Sequence, residues 1–578
     1  MSPVGAVTNG IARWWAHPRT RLFWFSFLTL YFEFVVIRYL SSEIRVFAYS
    51  KNLPLIAAFL GIGIGMVLGS RERFFSRWLP GVALILFSLI AFAPYLNLTH
   101  LPLVGITELI FSNPNNGSSI GFLLVGMFCI PLLIIAFFIA LGGFVGRSLE
   151  PLQPLPGYAT NLLGSVAGVI VFAVLGFLGS PPWVWLLLGF GLLFLLLDST
   201  VVRIMCVAIP LAVLFVSAPA VWSPYYRISL TTPPPLSEDA PPPVTYLSVN
   251  YDYHQKMLDL SRTFLEKYPT YEPNRSAALT YNLPFLAHPN PQNVLIVGAG
   301  TGNDVAAALR AGSDHIDAVE IDPAIYRLGK ERHPERPYDD PRVQVHLTDA
   351  RAFLKQTKNR YDTIVFAYLD SHTLVAQGSL LRLDDYVYTV ESLMEAKNLL
   401  VPGGTLVLSF GGGDTFLSAR LFATLETVFG NPPAAFLTNY DGMGVVFVAG
   451  SLTVSAVLRD IPHIEPALAQ KAVNLPLATD NWPFFYMKRP TVSFVYLLPF
   501  LYLLPFFLPF LTKIRLVRSG RMPIFFLLGA GFLLLETRAV IKLSLLFGST
   551  WIVTAIATVF FLSMALGANL IALKIPLK

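Results

Sequence analysis

Hydrophobic positions along the chain fall into two patterns. Long uninterrupted apolar runs occupy both ends, and between them short apolar runs alternate with charged segments of helical spacing. The N-terminal runs are approximately Leu22 to Leu40, Leu53 to Gly69, Leu79 to Leu96, Ile120 to Val145, Ala159 to Leu178, Pro182 to Leu197 and Ile204 to Val221. The C-terminal ones are Val492 to Leu511, Ile524 to Leu546 and Trp551 to Leu573. A hydrocarbon core about 30 Å thick needs roughly 20 apolar helical residues, so most of these runs are long enough to span it; the sixth and seventh are the shortest. Small residues recur at Gly61, Gly63, Gly65 and Gly69, and again at Gly164 and Gly168, which predicts close helix packing. Arg13, Arg19 and Arg21 precede the first run without a small-residue cleavage site, so a retained signal anchor is expected.

The middle of the chain reads as βα alternation. Strands are expected at Tyr246 to Asn250, Val294 to Val297, Ile316 to Val319, Val343 to Leu347, Thr363 to Ala367 and Thr405 to Ser409. Helices are expected at Ala277 to Leu286, Asp304 to Ala311, Pro323 to Lys330, Ala350 to Thr357, Tyr386 to Leu400 and Phe416 to Phe429. Tyr251 to Tyr268 reads as helix or turn. Ala434 to Leu437 and Val445 to Ala449 read as an antiparallel edge pair. Repeated βα units imply a mostly parallel sheet covered by helices, with ligands at the carboxyl ends of its strands. The expected division is a membrane domain over 1–221, a proline-rich linker over 222–245 containing Pro233 to Pro235 and Pro241 to Pro243, a soluble domain over 246–489, and C-terminal membrane helices over 490–578.

Composition supports this division. The 578 residues are 54% hydrophobic and 13% charged, with a mean hydropathy of +0.60, which is too apolar for a wholly soluble protein. The net charge of +6 does not point to nucleic acid, because basic residues gather beside apolar runs as topology anchors. Cys129 and Cys206 both lie in apolar runs and define neither a disulfide framework nor a metal site. A multi-pass protein, expected in the plasma membrane, follows. Its orientation stays unassigned: Arg71, Arg73, Arg77 and the Lys513 to Arg521 cluster share a side with the N-terminus, which places the soluble domain outside, whereas a cytoplasmic cofactor would place it inside. Glu33 and Arg38 in the first run, and Glu536, Arg538 and Lys542 in the ninth, are costly at membrane depth. They read either as a polar path or as a structural ion pair between helices.

Candidate chemistry concentrates in Asn293 to Asp322. Gly298, Gly300 and Gly302 follow the first core strand and precede a helix, so a ligand can approach the backbone and helix N–H groups. Glu320 ends the next strand, where a carboxylate can accept both hydroxyls of a ribose. Asn303 stands where a dinucleotide fingerprint has its last glycine, which tilts the reading from NAD toward an S-adenosyl cofactor. Asp349 either addresses an adenine amine or caps the helix beginning at Ala350.

These residues support a resemblance. VLIVGAGTGND at Val294, VEIDPAI at Val319, DDPRVQVHLTDARAFL at Asp339, YDTIVFAYLDSHT at Tyr361 and LLVPGGTLVLSF at Leu399 resemble the spermidine synthase branch of the class I AdoMet-dependent transferases. ATDNWPFFY at Ala478 and FLLLETRAVIKLSLLFGSTW at Phe532 are similar to the integral-membrane spermidine synthase-like proteins. The resemblance implies a polytopic α-helical membrane region plus an α/β Rossmann-like domain with an antiparallel edge. The cofactor would be S-adenosylmethionine or its decarboxylated form. Gly298, Gly300, Thr301 and Gly302 would border its amino-acid or aminopropyl arm, Glu320 would hold the ribose, and Asp349 with the Ala350 backbone would address the adenine. Thr301 and Ala367 stand where spermidine synthases carry acidic residues, so ordinary polyamine synthesis is not implied. Asp370 and His372 are the acceptor-site candidates, with Ser371, Tyr253, His254 and Gln255 nearby. The expected function is a membrane-embedded methyl or aminopropyl transferase acting on a small-molecule or lipid-like acceptor among membrane lipids. The alternative is a transporter or sensor that binds such a ligand without chemistry.

Overall fold

The computed structural model describes residues 17–575 apart from 51, 70–71, 100–119, 218, 236–239, 370–383, 412–414, 439, 441–443, 452–455, 489–500, 502, 506–521 and 548–550. The N-terminal helices are α1 (Pro18–Glu43), α2 (Asn52–Val67), α3 (Glu72–Ala91), α4 (Ile120–Leu149), α5 (Pro154–Phe177), α6 (Pro182–Leu196) and α7 (Thr200–Val216). The bundle is organised around α1, which packs on α2, α3, α4, α5 and α6. Its Phe32 ring meets Phe87 of α3, Phe137 of α4 and Phe190 of α6 at centroid separations of 6.2, 5.4 and 5.0 Å. Glycines set the closest contacts. A methyl group at Gly61 would stand 2.6 Å from the Ile135 carbonyl, and one at Gly142 would stand 2.5 Å from that of Ile62, so α2 and α4 meet backbone to backbone. Gly164 and Gly168 press α5 against Phe23 and Phe27 of α1 in the same way, whereas Gly63 faces open space.

Among the described residues, five helices are long and apolar enough to cross a membrane: Pro18–Glu43, Gly126–Leu149, Pro154–Phe177, Pro523–Leu545 and Ile552–Ala572. Asn52–Val67, Arg77–Ala91, Pro182–Leu196 and Thr200–Val216 are apolar but shorter. The expected run Val492 to Leu511 lies almost wholly outside the described residues. Glu33 is buried, and its electrostatic neighbour is another carboxyl, Glu536, which accepts from Thr558 at 3.0 Å. Arg38 of the same run is directed instead to the Ser223 and Pro224 carbonyls.

After α7 the chain forms an antiparallel sheet of β1 (Val221–Trp222), β2 (Arg227–Thr231), β3 (Thr245–Val249) and β4 (Asp252–Met257). The helix-or-turn reading of Tyr251 to Tyr268 is therefore corrected to strand β4, followed by the short helix α8 (Arg262–Lys267). Polar and aromatic side chains fill both faces of β4, and its pairing with β3 shifts between Leu247 and Ser248, so no apolar alternation marks it.

The main sheet follows α9 (Glu272–Ala287). In chain order it contains β5 (Asn293–Val297), α10 (Asn303–Arg310), β6 (His315–Glu320), α11 (Pro323–Arg332), β7 (Val343–Leu347), α12 (Ala350–Gln356), β8 (Tyr361–Phe366), α13 (Val390–Asn398), β9 (Leu400–Phe410), α14 (Phe416–Phe429), β10 (Ala434–Thr438) and β11 (Gly444–Gly450). Its seven strands run in the order β10-β11-β9-β8-β5-β6-β7. The five from β9 to β7 are parallel, and β11 is antiparallel to both β9 and β10. Three boundaries differ most from expectation, the first being α9, which begins at Glu272 rather than Ala277. The helix expected from Tyr386 starts at Val390, where Thr389 accepts the Ser392 N–H as its cap, and β9 already begins at Leu400, before Pro402 to Gly404. Chain order reverses at β5, so the crevice above β5 and β8 is the topological switch point. Helices α15 (Met522–Phe547) and α16 (Trp551–Ala572) close the chain; α16 packs on α5, and Tyr386 donates to the Ile541 carbonyl of α15 at 3.2 Å.

Candidate functional site

A cavity of about 290 Å³ opens at this switch point. Its floor is the turn after β5. Gly298, Gly300 and Gly302 have φ of +80°, +55° and +111°, a region that side chains with a Cβ avoid. Tyr338 donates to the Gly300 carbonyl at 2.7 Å from beneath. Asn303 ties the turn to β4: its Nδ2 donates to the Lys256 carbonyl at 2.7 Å and to the Tyr281 hydroxyl at 3.0 Å, and its Oδ1 accepts the Leu258 N–H at 3.2 Å. Gln255 of β4 covers the loop, its Oε1 accepting both the N–H and the hydroxyl of Thr301 at 2.9 Å.

The tips of β6 and β7 supply the carboxylates. Glu320 is buried, with Oε2 accepting the Gly300 N–H and Oε1 the Asp322 N–H, each at 2.8 Å. Glu320 lines the cavity, and a carboxylate with two oxygens has acceptor capacity beyond these bonds for a diol. Burial pushes its carboxyl up to about 7; the Asp322 charge adds to this, while the N–H bonds oppose it. Asp304, at the start of α10, also lines the cavity and is pushed by burial to about 7. Asp349 has its expected capping role, Oδ1 accepting the Ala352 N–H at 3.0 Å at the start of α12, and the residue also lines the cavity beside Ala350.

The opposite wall is aromatic. Tyr226 comes from the β1–β2 turn, Tyr253 and His254 from β4, Tyr281 from α9, Tyr368 from the end of β8, and Tyr440 from the β10–β11 connection. Tyr440 meets Tyr281 and Tyr368 at ring separations of 5.5 and 5.7 Å, and the Tyr281 and Tyr440 hydroxyls lie 3.3 Å apart. Ala367 and Asp384 complete this part of the lining.

The fold thus brings Gly298, Gly300, Glu320, Asp349 and Ala350 to one cavity, together with Tyr253, His254 and Gln255. Thr301 is spent on Gln255, and Gly302 lies under Pro337; neither is among the lining residues. Asp370, Ser371 and His372 lie outside the described residues. Asp304, Tyr226, Tyr281, Tyr440 and Asp384 escaped the reading from sequence. Asp304 resembles an ordinary first-turn acid, and Tyr226 falls in the stretch read as linker.

An adenosyl ligand fits the donor groups present: a buried diol acceptor, a second carboxylate at the adjacent strand tip, and glycines that leave room at the turn. The family profile described as "Spermine/spermidine synthase domain" matches residues 278–431. The chain is 31% identical over 190 residues to the polyamine aminopropyltransferase of Sulfolobus acidocaldarius, covering 30% of this chain and 60% of that one. It is 28% identical over 196 residues to polyamine aminopropyltransferase 2 of Hyperthermus butylicus, covering 32% and 61%. The chain therefore spans about three fifths of the length of these curated relatives. The solved spermidine synthase of Thermotoga maritima aligns over 48% of this chain and 85% of its own, at 15% identity and a TM-score of 0.31. The matched residues 278–431 build the glycine turn and both carboxylate-bearing strand tips, and the apolar helices before and after them lie outside the matched region.

Proposed function

We propose that the chain is a multi-pass membrane transferase that moves an aminopropyl group from decarboxylated S-adenosylmethionine to a small-molecule amine. The observation that carries this reading is Glu320, fixed by two backbone N–H groups and facing the cavity beside Asp349 in a domain of this family. When bound, the sulfonium donor supplies an electrophilic carbon with a neutral thioether as leaving group. The residues of this chain bind, orient and exclude water. Glu320 holds the ribose, Asp349 and Ala350 hold the adenine, and the tyrosines enclose the amine.

The attacking amine must lose a proton. Asp304 has a proton affinity matched to neutral pH and lies in the cavity wall, which suits a proton acceptor. Asp370 and His372 keep their proposed place at the acceptor end. Five helices of spanning length support insertion in a membrane, which we assign to the plasma membrane. The test is to incubate the full chain in detergent with decarboxylated S-adenosylmethionine and a panel of monoamines, diamines and amino acids. Mass spectrometry should find 5′-methylthioadenosine together with one alkylated amine. Absence of both products, with no calorimetric binding of the donor at millimolar concentration, overturns the reading; binding without turnover leaves the sensor or transporter alternative.

A further inference from the structure

Arg38 belongs to the membrane helix α1, yet its guanidinium leaves the bundle. Nη1 donates to the Pro224 carbonyl at 2.9 Å and Nη2 to the Ser223 carbonyl, while the guanidinium stands 5.4 Å from the Trp185 ring centroid of α6. Trp185 in turn meets Trp222 of β1 edge-on at 5.2 Å. The clamped turn is the one that presents Tyr226 to the cavity. Within it, Ser223 Oγ accepts the N–H groups of Tyr225 and Tyr226 at 3.0 and 2.8 Å and donates to Asp322 Oδ2. Asp322 caps α11 through Oδ1, which accepts the Ala324 N–H at 2.8 Å, and its own N–H holds Glu320 Oε1. Hydrogen bonds therefore run from a membrane helix, through Ser223 and Asp322, to the carboxylate at the nucleoside end.

The ordinary explanation for an arginine near the end of an apolar helix is an interface anchor whose charged head seeks water. Arg38 instead spans two consecutive carbonyls of one turn, a task that suits a planar fork rather than a point charge. Three further bonds fix the same end of α1 to the small sheet and the turn between β3 and β4. Glu43 pairs with Arg227 at 3.2 Å and accepts from Tyr251 at 2.6 Å, and Arg45 pairs with Asp252 of β4 at 2.6 Å.

We propose that Arg38 is a positioning residue for the nucleoside end of the cavity, acting through Ser223 and Asp322 on Glu320. The inference rests on the reading that this cavity holds an adenosyl ligand. The groups that face Glu320 electrostatically are Asp322 in its own turn, Tyr225 of the β1–β2 turn and Tyr338 beneath the glycine loop. Tyr225 also feels Asp349, Tyr338 also feels Asp304, and Arg38 is the cation acting on Asp322. Removing that cation leaves this acidic group less compensated, so ionisation at the nucleoside end needs a higher pH.

The test measures calorimetric binding of 5′-methylthioadenosine to the full chain in detergent between pH 6 and pH 8. Arg38→Gln should weaken binding about tenfold and move its pH midpoint upward, with Arg38→Lys intermediate. Ser223→Ala, which interrupts the series without touching the membrane helix, should weaken binding by about threefold and decides the matter if Arg38→Gln does not fold. A wild-type chain that binds no nucleoside refutes the functional reading itself. A wild-type chain that binds, beside Arg38→Gln and Ser223→Ala proteins of unchanged affinity, refutes the role of Arg38 alone. Weakened binding with an unmoved midpoint in Arg38→Gln also refutes it, because that pattern belongs to a general loss of packing.

Discussion

The two ends of the cavity are built in different ways. At the nucleoside end, backbone N–H groups and strand-tip carboxylates fix one another: Glu320 is held by Gly300 and Asp322, and Asp349 by the first turn of α12. At the aromatic end, Tyr281 of α9 and Tyr368 after β8 each meet the ring of Tyr440 from the β10–β11 connection, with the Tyr281 and Tyr440 hydroxyls 3.3 Å apart. The first end depends on geometry set by hydrogen bonds within a single β-α-β unit. The second depends on which rings several distant segments bring together. Under the proposed function, recognition of a common cofactor suits the former and divergence in acceptor suits the latter.

The largest effect that would sharpen this contrast is expected at Glu320. Glu320→Gln replaces a carboxylate oxygen by an amide donor facing a backbone N–H, and should weaken nucleoside binding roughly a hundredfold by calorimetry, the equivalent of two charge-assisted hydrogen bonds. Next comes a change outside the cavity. A methyl group at Gly329 of α11 would stand 2.5 Å from the Thr301 carbonyl and 2.7 Å from its Cα, so Gly329→Ala must push the glycine turn. Overpacking of this kind costs about 1–3 kcal/mol, and both the melting temperature and nucleoside affinity should fall.

The third effect depends on pH. Glu320 and Asp304 have folded-state values near 7, above those of exposed carboxyls, so the stability gained by holding their protons is present below about pH 4 and lost as pH rises through about 7. Binding of the cationic donor runs the other way, since the ionised carboxylates attract it. Its affinity should rise between pH 6 and pH 8 while the melting temperature of the ligand-free chain falls, and Glu320→Gln should flatten much of the first trend. The smallest effect is expected at the aromatic end, where Tyr440→Phe removes one neutral hydrogen bond of about 1 kcal/mol and should raise the acceptor KM a few-fold with donor affinity unchanged. Equal losses of donor and acceptor binding in Tyr440→Phe would erase the distinction between the two ends.

Legibility in the sequence follows the same division. Val294 to Val297, the glycines and Glu320 are consecutive in one β-α-β unit, so local spacing carries their geometry. The long apolar helices are equally local. The aromatic wall is not, because Tyr226, Tyr281 and Tyr440 are separated by long stretches of chain and converge only through tertiary packing. Strand β4 escaped notice because one part of it covers the glycine turn through Gln255 and another joins α1 through Asp252, so neither face is purely apolar. Asp349 shows the limit from the other side: it caps α12 and also lines the cavity, so the cap that sequence spacing makes legible does not by itself exclude a ligand contact.

The bond from Arg45 to Asp252 has a mechanical consequence. Strand β4 carries Tyr253, His254 and Gln255 into the cavity and is attached just past the end of the first long apolar helix. Under the proposed membrane insertion, a tilt of that helix would reach the strand and, through Gln255, the glycine turn, so donor affinity measured in bilayers of different chain length would report on this link.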